Sequence, residues 1–270
     1  MLRIQLVVLF LTLCQSIGNC AEANGSLSIV IDDLGYTPKD LQALSLPIAV
    51  TFSILPFTPQ GKKIAKLAQQ QGREILVHVP MQAKSNNHLL GKGALMSSMH
   101  EKEFKAMLRQ DLHFLPNAKG INNHMGSLLT EQSEPMRWTM EVLFERGLYF
   151  LDSRTSANSL AETTANLLDV PVLKRHVFLD NIKKPEAMNQ QYQTALDLTR
   201  THQHVIIIAH PYPETLKFLN DKFTQESEIN KLVSLETSIS STQRSAMALK
   251  KQAFQQANNL PISNSIPVSQ

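Results

Sequence analysis

Six places along the chain put an ionisable or amide side chain at the end of a short apolar run. Residues 27–31 run into Asp32-Asp33, and 74–77 into His78. The run 119–122 meets Asn123-His124, and 148–151 meets Asp152-Ser153-Arg154. Leu173 precedes Arg175-His176 and then Asp180, and 205–209 ends in His210-Pro211. The chemistry open to such a set is narrow. Two imidazoles and one carboxylate make a three-ligand metal site that keeps a position for water or substrate. A divalent ion there lowers the pKa of its water towards ~7 and polarises a carbonyl oxygen. A second carboxylate can act as general base and a further histidine as general acid. That combination suits hydrolysis of an acyl group. Nucleophilic Ser or Cys catalysis has no support: there is no Gly-x-Ser-x-Gly elbow, and both cysteines, Cys14 and Cys20, fall near the N-terminus.

Such residues need elements that bring them to one rim. From Leu27 to about Leu219, short apolar runs alternate with amphipathic stretches, two further runs being 49–55 and 170–173. Several runs are rich in Val and Ile and nearly continuous, as strands buried on both faces of a parallel sheet are. Helix starts lie between them: Ser98-x-x-Glu101 and Ser159-x-x-Glu162 have capping-box spacing, and Pro135 and Pro185 suit first turns. This alternation predicts a parallel α/β fold, either a barrel or a doubly wound sheet. In a barrel, catalytic residues come from the C-terminal ends of several strands. A carboxylate after one strand can equally cap the next helix. Histidine is a poor cap, so three histidines and two aspartate sites at one topological position point to a functional rim.

The ends of the chain differ from this body. Met1-Leu2-Arg3, an apolar run over 6–13 and small or polar residues over 16–25 predict a secretory signal over residues 1–20. The run is shorter than the ~20 residues of a membrane span, so no stable span is expected after cleavage. Cleavage there leaves no cysteine, so a metal would be held by His, Asp or Glu, which suits zinc or another divalent first-row ion. A single domain is expected over 26–233. A polar, partly disordered, non-catalytic tail is expected over 234–270, with one helical stretch near 244–256. The formal net charge is +3 with no Lys/Arg run longer than a pair, which gives no footprint for nucleic acid.

The motifs Ile31-Asp32-Asp33-Leu34-Gly35, His78-Val79-Pro80-Met81, Asn122-Asn123-His124-Met125-Gly126-Ser127, Asp152-Ser153-Arg154-Thr155, Val177-Phe178-Leu179-Asp180-Asn181 and His210-Pro211-Tyr212-Pro213-Glu214-Thr215 resemble the divergent polysaccharide deacetylase family. Those are bacterial, mostly periplasmic proteins, related to metal-dependent carbohydrate esterases that deacetylate chitin-like polymers and peptidoglycan. The resemblance implies an α/β fold, a distorted seven-stranded (β/α) barrel. It also implies a periplasmic location, in a Gram-negative envelope, and a polysaccharide or peptidoglycan-like glycan as partner.

Carried over, Asp32 is the base, Asp33 a metal ligand and His210 the general acid. The relatives' second motif places another His four residues after the first; His78 matches the first, but Gln82 holds the second place. His124, closing a neighbouring run on the same rim, is taken as the substitute ligand, giving Asp33, His78 and His124 around a divalent metal, zinc being the expectation. Asp152 is expected to orient a histidine or hold a ligand in place. Arg154 would meet an anionic substrate group or the base. Asn122 and Asn123 either donate to a developing oxyanion or shape the turn presenting His124. Tyr36 and Tyr212 are candidates for stacking on a sugar ring. Three functions follow: a metal-dependent deacetylase acting on an envelope or exported glycan, a degenerate barrel that binds glycan without turnover, as Gln82 would favour, and a glycosidase using Asp33 and Asp152.

Overall fold

The computed structural model describes residues 25–257. The expected signal, residues 1–20, lies outside the described residues. The strands are β1 (Ser26–Leu34), β2 (Thr51–Ile54), β3 (Ile75–Met81), β4 (Gly120–Met125), β5 (Tyr149–Asp152), β6 (Val172–Lys174), β7 (Val177–Phe178) and β8 (His204–Ala209). Helices α1 (Gly61–Gln70), α2 (Glu101–Phe114), α3 (Ser133–Arg146) and α4 (Ala161–Leu167) follow β2 to β5 in turn. Then come α5 (Pro185–Leu198), α6 (Pro213–Lys222), α7 (Glu226–Ile229) and α8 (Ser241–Ala257).

All strand pairings are parallel, in the order β6-β5-β4-β3-β2-β1-β8-β7. Eight strands appear where seven were expected, because the sixth, over residues 172–178, is cut in two. The Arg175 N–H bonds the Asp152 carbonyl on the β5 side, at 2.9 Å. The next residue, His176, donates its N–H to the Ile206 carbonyl of β8, also at 2.9 Å. One continuous segment therefore pairs first with one edge of the curled sheet and then with the other.

Strand periodicity sorts the side chains into two cores. Val30, Leu76, Tyr149, Leu151, Ile206 and Ile208 share the barrel interior. Ile29, Ile31, Val77, Val79, Phe150, Val205 and Ile207 belong to the larger core under the helices. Two residues beyond Val30, Leu76, Leu151 and Ile208, the last inward apolar positions of their strands, lie Asp32, His78, Ser153 and His210. The alternation that fills the barrel thus also delivers polar groups to its C-terminal rim.

The expected polar tail is folded onto the barrel through Ala257. Val233 N–H bonds the Leu27 carbonyl and Ser28 Oγ donates to the Val233 carbonyl, at 2.8 and 2.7 Å. Leu235, Ile239 and Met247 are buried with the interior residues, so the apolar minority of this segment plugs the barrel's lower end. Buried Glu74 accepts from Tyr149 Oη at 2.6 Å, from Thr51 Oγ1 at 3.2 Å and from the Glu236 N–H at 3.1 Å. Gly147, with φ 62°, ends α3 in the left-handed region, and a Cβ there would strike the Met247 carbonyl of α8. The packed domain therefore extends past residue 233.

Candidate metal centre

Asp32 reaches the interior by ordinary strand alternation, which alone would send Asp33 to the opposite face. A β-bulge changes that. The register of β1 against β2 shifts between Ile31 and Leu34, and Asp33 has φ 58°. A bulge adds a residue and re-aims the side chains beside it, and aspartate enters the left-handed region more readily than most residues. Two adjacent carboxylates consequently face one rim.

Asp33 Oδ1 lies 3.1 Å from His78 Nε2 and 2.9 Å from His124 Nδ1, and the two nitrogens are 3.2 Å apart. The three come from β1, β3 and β4, and are the one group of at least three His, Cys, Asp or Glu residues among the described residues that could hold a metal ion. Asp33 Oδ1 is buried without a properly directed hydrogen bond. Three such atoms pressed together repel unless protons or a cation lie among them. Their separations are close to the ~3.3 Å between ligands in a tetrahedron with ~2.0 Å bonds, so the donor set fits a divalent ion. His78 is 2% exposed, whereas Asp33 and His124 are half-buried and open to the rim.

Asp32 and His210 flank this triangle. Asp32 Oδ2 is 3.7 Å from His78 Nε2, and its Oδ1 accepts from Asn122 Nδ2 at 2.8 Å. His210 Nε2 is 3.9 Å from Asp33 Oδ2. The neighbouring carboxylates are driven apart. Burial raises the Asp32 pKa, outweighing the nearby histidines. Burial pushes Asp33 the same way, but the His124 and His78 imidazoles beside it hold its carboxyl well below the usual carboxylate range. Burial opposes charge on His210, yet its bond to Asp180 carries the imidazole up to about 9. For His78, burial is likewise outweighed by Asp32 and Asp33, and its pKa is raised.

Asp152 is the main correction. It was expected to orient a histidine or hold a ligand in place, but its Oδ1 accepts the Arg154 backbone N–H at 2.7 Å, because the chain turns sharply there with Arg154 at φ 51°. The carboxylate that orients a histidine is Asp180, whose Oδ1 meets His210 Nδ1 at 2.8 Å while its Oδ2 accepts the His210 N–H and the Thr215 hydroxyl. Its signal was present: Asp180 closely follows the C-terminal end of β7, but that strand has two residues and does not register as an apolar run.

The Arg154 side chain lies 3.8 Å from Asp152 and bonds the Ala157 carbonyl rather than Asp32. Asn123 shapes the turn: it donates to the Met125 carbonyl at 2.7 Å and accepts the Ser153 N–H at 2.9 Å. Met125 at φ 54° and Gly126 at φ 86° complete that turn after His124. Gln82 accepts from the Ser97 N–H and hydroxyl, each at 2.7 Å, and is no part of the donor group. Tyr36 is 48% exposed. Tyr212 is half-buried, with its ring 5.6 Å from that of His210 and Lys183 Nζ 3.4 Å over its face. Burial and the Asp33 charge raise both phenols.

Residues 29–238 match the model of a family described as divergent polysaccharide deacetylase. The chain is 39% identical over 196 residues to the protein YibQ of Escherichia coli, a match covering 72% of this chain and 61% of that protein. It therefore spans less than two thirds of that relative's length. A Haemophilus influenzae protein is 35% identical over 198 residues, covering 73% of this chain and 70% of its own. Among solved structures, ATU2773 from Agrobacterium tumefaciens superposes with a TM-score of 0.74 at 20% identity, covering 80% of this chain and 89% of that one. That likeness concerns the fold alone.

Proposed function

The chain belongs to the divergent polysaccharide deacetylase family, and from that premise we propose that it is an exported, metal-dependent hydrolase that removes acetyl groups from an envelope or exported polysaccharide. One observation carries this: Asp33, His78 and His124 converge beside a buried carboxylate, Asp32, and an Asp180-held imidazole, His210.

A divalent ion, zinc being the natural fit for two imidazoles and a carboxylate, would be held by Asp33, His78 and His124 and would supply Lewis acidity and an acidified water. Asp32 takes the proton that water loses as it adds to the acetyl carbon; its raised pKa makes it a better base than an exposed carboxylate. His210, protonated at neutral pH, gives its Nε2 proton to the leaving amine or alcohol as the C–N or C–O bond breaks. Acetate and the free amine or alcohol are the products. Asp180 holds the His210 ring and favours its charged form. Tyr36, which is exposed, offers a ring face for a sugar, whereas Tyr212 is already covered on one face by Lys183.

Binding without turnover drew its support from Gln82, but His124 brings the donors to three without it. A glycosidase pairing Asp33 with Asp152 loses ground because Asp152 is turned to the Arg154 backbone. Export and a periplasmic location are part of the proposal and rest on the N-terminal composition. Among the described residues no helix is long and apolar enough to cross a membrane. The test is elemental analysis of purified wild type and His78→Ala, followed by acetate release from acetylated chitin-type and peptidoglycan-type glycans. About one equivalent of divalent metal, lost in the variant, with acetate released by wild type only, supports the proposal. No metal after reconstitution sinks it.

A further inference from the structure

Asn122 lies beneath the donor triangle, fully buried, and saturates its hydrogen-bonding capacity. A side-chain amide offers two N–H donors and two acceptor lone pairs. Its Nδ2 donates to Asp32 Oδ1 at 2.8 Å and to Ser153 Oγ at 3.3 Å. Its Oδ1 lies 2.8 Å from His78 Nδ1 and also accepts the Ser53 hydroxyl. Ser53 and Ser153 are themselves buried.

These contacts fix the orientation of the amide. Hydroxyls can donate or accept, so the serines leave it undetermined. An ionised Asp32 only accepts, so nitrogen must face Asp32 and oxygen must face His78. A carbonyl oxygen facing His78 Nδ1 requires a proton on that nitrogen. In neutral imidazole the lone pair then belongs to Nε2, the atom that faces Asp33 and His124.

We propose that Asn122 is a positioning residue that couples the two halves of the site: one amide fixes the His78 tautomer that presents Nε2 to a metal, and the same amide holds the carboxylate of Asp32. The inference rests on the proposed function for its chemistry, but its geometry does not. Partners that orient a ligating histidine are usually carboxylates, backbone carbonyls or water, and losing one costs ~10–100-fold in metal affinity or activity. Here a neutral amide takes that place and has a second task. A carboxylate at position 122 could still accept from His78 Nδ1, but has no N–H for Asp32.

The test compares wild type, Asn122→Asp and Asn122→Ala by three measurements: the His78 ring N–H by nitrogen-15 NMR on metal-free protein, zinc affinity by chelator competition, and kcat for acetate release. Wild type should show a slowly exchanging proton on His78 Nδ1. Asn122→Ala should lose that signal, bind zinc ~10–100-fold more weakly and turn over slowly. Asn122→Asp should keep the Nδ1 proton and bind zinc within a few-fold of wild type, with kcat lowered at least tenfold. That split separates positioning from general structural support, which would lower affinity and rate together in both variants. Parallel losses, or a His78 proton on Nε2 alone in neutral wild type, overturn the proposal. The NMR arm needs neither metal nor turnover nor a folded variant. A wild type that binds no zinc therefore sinks the proposed function while Asn122 is still judged.

Discussion

Asp180 grips His210 twice: one carboxylate oxygen meets the ring Nδ1 at 2.8 Å, and the other accepts the backbone N–H of the same residue at 2.7 Å. The histidine is thereby fixed in ring orientation and main-chain position, with Nε2 left for the rim.

That grip predicts a pH signature. The folded His210 pKa, about 9, lies above its ordinary 6.5, so the stabilisation is complete below 6.5 and is lost as pH rises through 9. Asp180→Asn should lower the His210 titration midpoint by about one to three pH units. An NMR titration of the metal-free protein checks this. A wild-type midpoint near 6.5 would show that Asp180 does not control the imidazole.

The donor triangle makes a comparative prediction. Asp33→Asn, His78→Ala and His124→Ala should each abolish stoichiometric metal binding, while Gln82→Ala should leave it intact, since Gln82 is committed to Ser97. Added zinc should stabilise the wild type against unfolding by about 2.7 kcal/mol at 100 times its Kd. If Gln82→Ala loses metal and His124→Ala does not, the ligand set is wrong.

Asp111, on α2, predicts an alkaline weakness away from the site. It is fully buried, neither oxygen has a hydrogen-bond partner, and burial pushes its pKa up to about 9. The folded chain therefore retains a proton the unfolded chain has lost. Stability from this group is full below 3.8 and drains away as pH rises towards 9, by at most ~1.4 kcal/mol per pH unit. Asp111→Asn should flatten that slope in urea melts across pH 5 to 9. An unchanged slope would refute this assignment.

The C-terminal segment should behave as part of the core. Leu235 is fully buried against the barrel interior, so Leu235→Ala should cost about 2–5 kcal/mol. Deletion after residue 233 should cost more, since Ile239 and Met247 leave with it. A truncated chain that melts like wild type would mean that the segment is an accessory.

The sequence made the strand rim legible because hydrophobic runs and the polar residues at their ends are local features. Asp32, Asp33, His78, His124 and His210 all reach one place. What escaped depends on detail that no run of letters carries. Asp180 follows a two-residue strand, so its periodicity has no length in which to show. Asp152 was expected to serve a histidine or a ligand because it ends a strand, but a positive φ at Arg154 bends the backbone N–H onto it. Asn122 and Asn123 are adjacent and alike in type; strand alternation sends the first inward and leaves the second to its turn. The tail past 233 looks polar on average, but three spaced apolar side chains suffice to dock it.

The divided strand gives the barrel a clasp. Elsewhere around the ring, neighbouring walls are tied by rungs of parallel hydrogen bonds, but between β6 and β7 the link is the Arg175–His176 main chain itself. Arg175 reinforces one side by bonding the Ser153 and Arg154 carbonyls at 2.7 and 2.9 Å. The wall carrying Ser153 and the wall carrying Asp180 and His210 meet at this clasp. Closure of the ring at that point thus rests on the covalent continuity of the chain and on single bonds to either side, not on a ladder between β6 and β7.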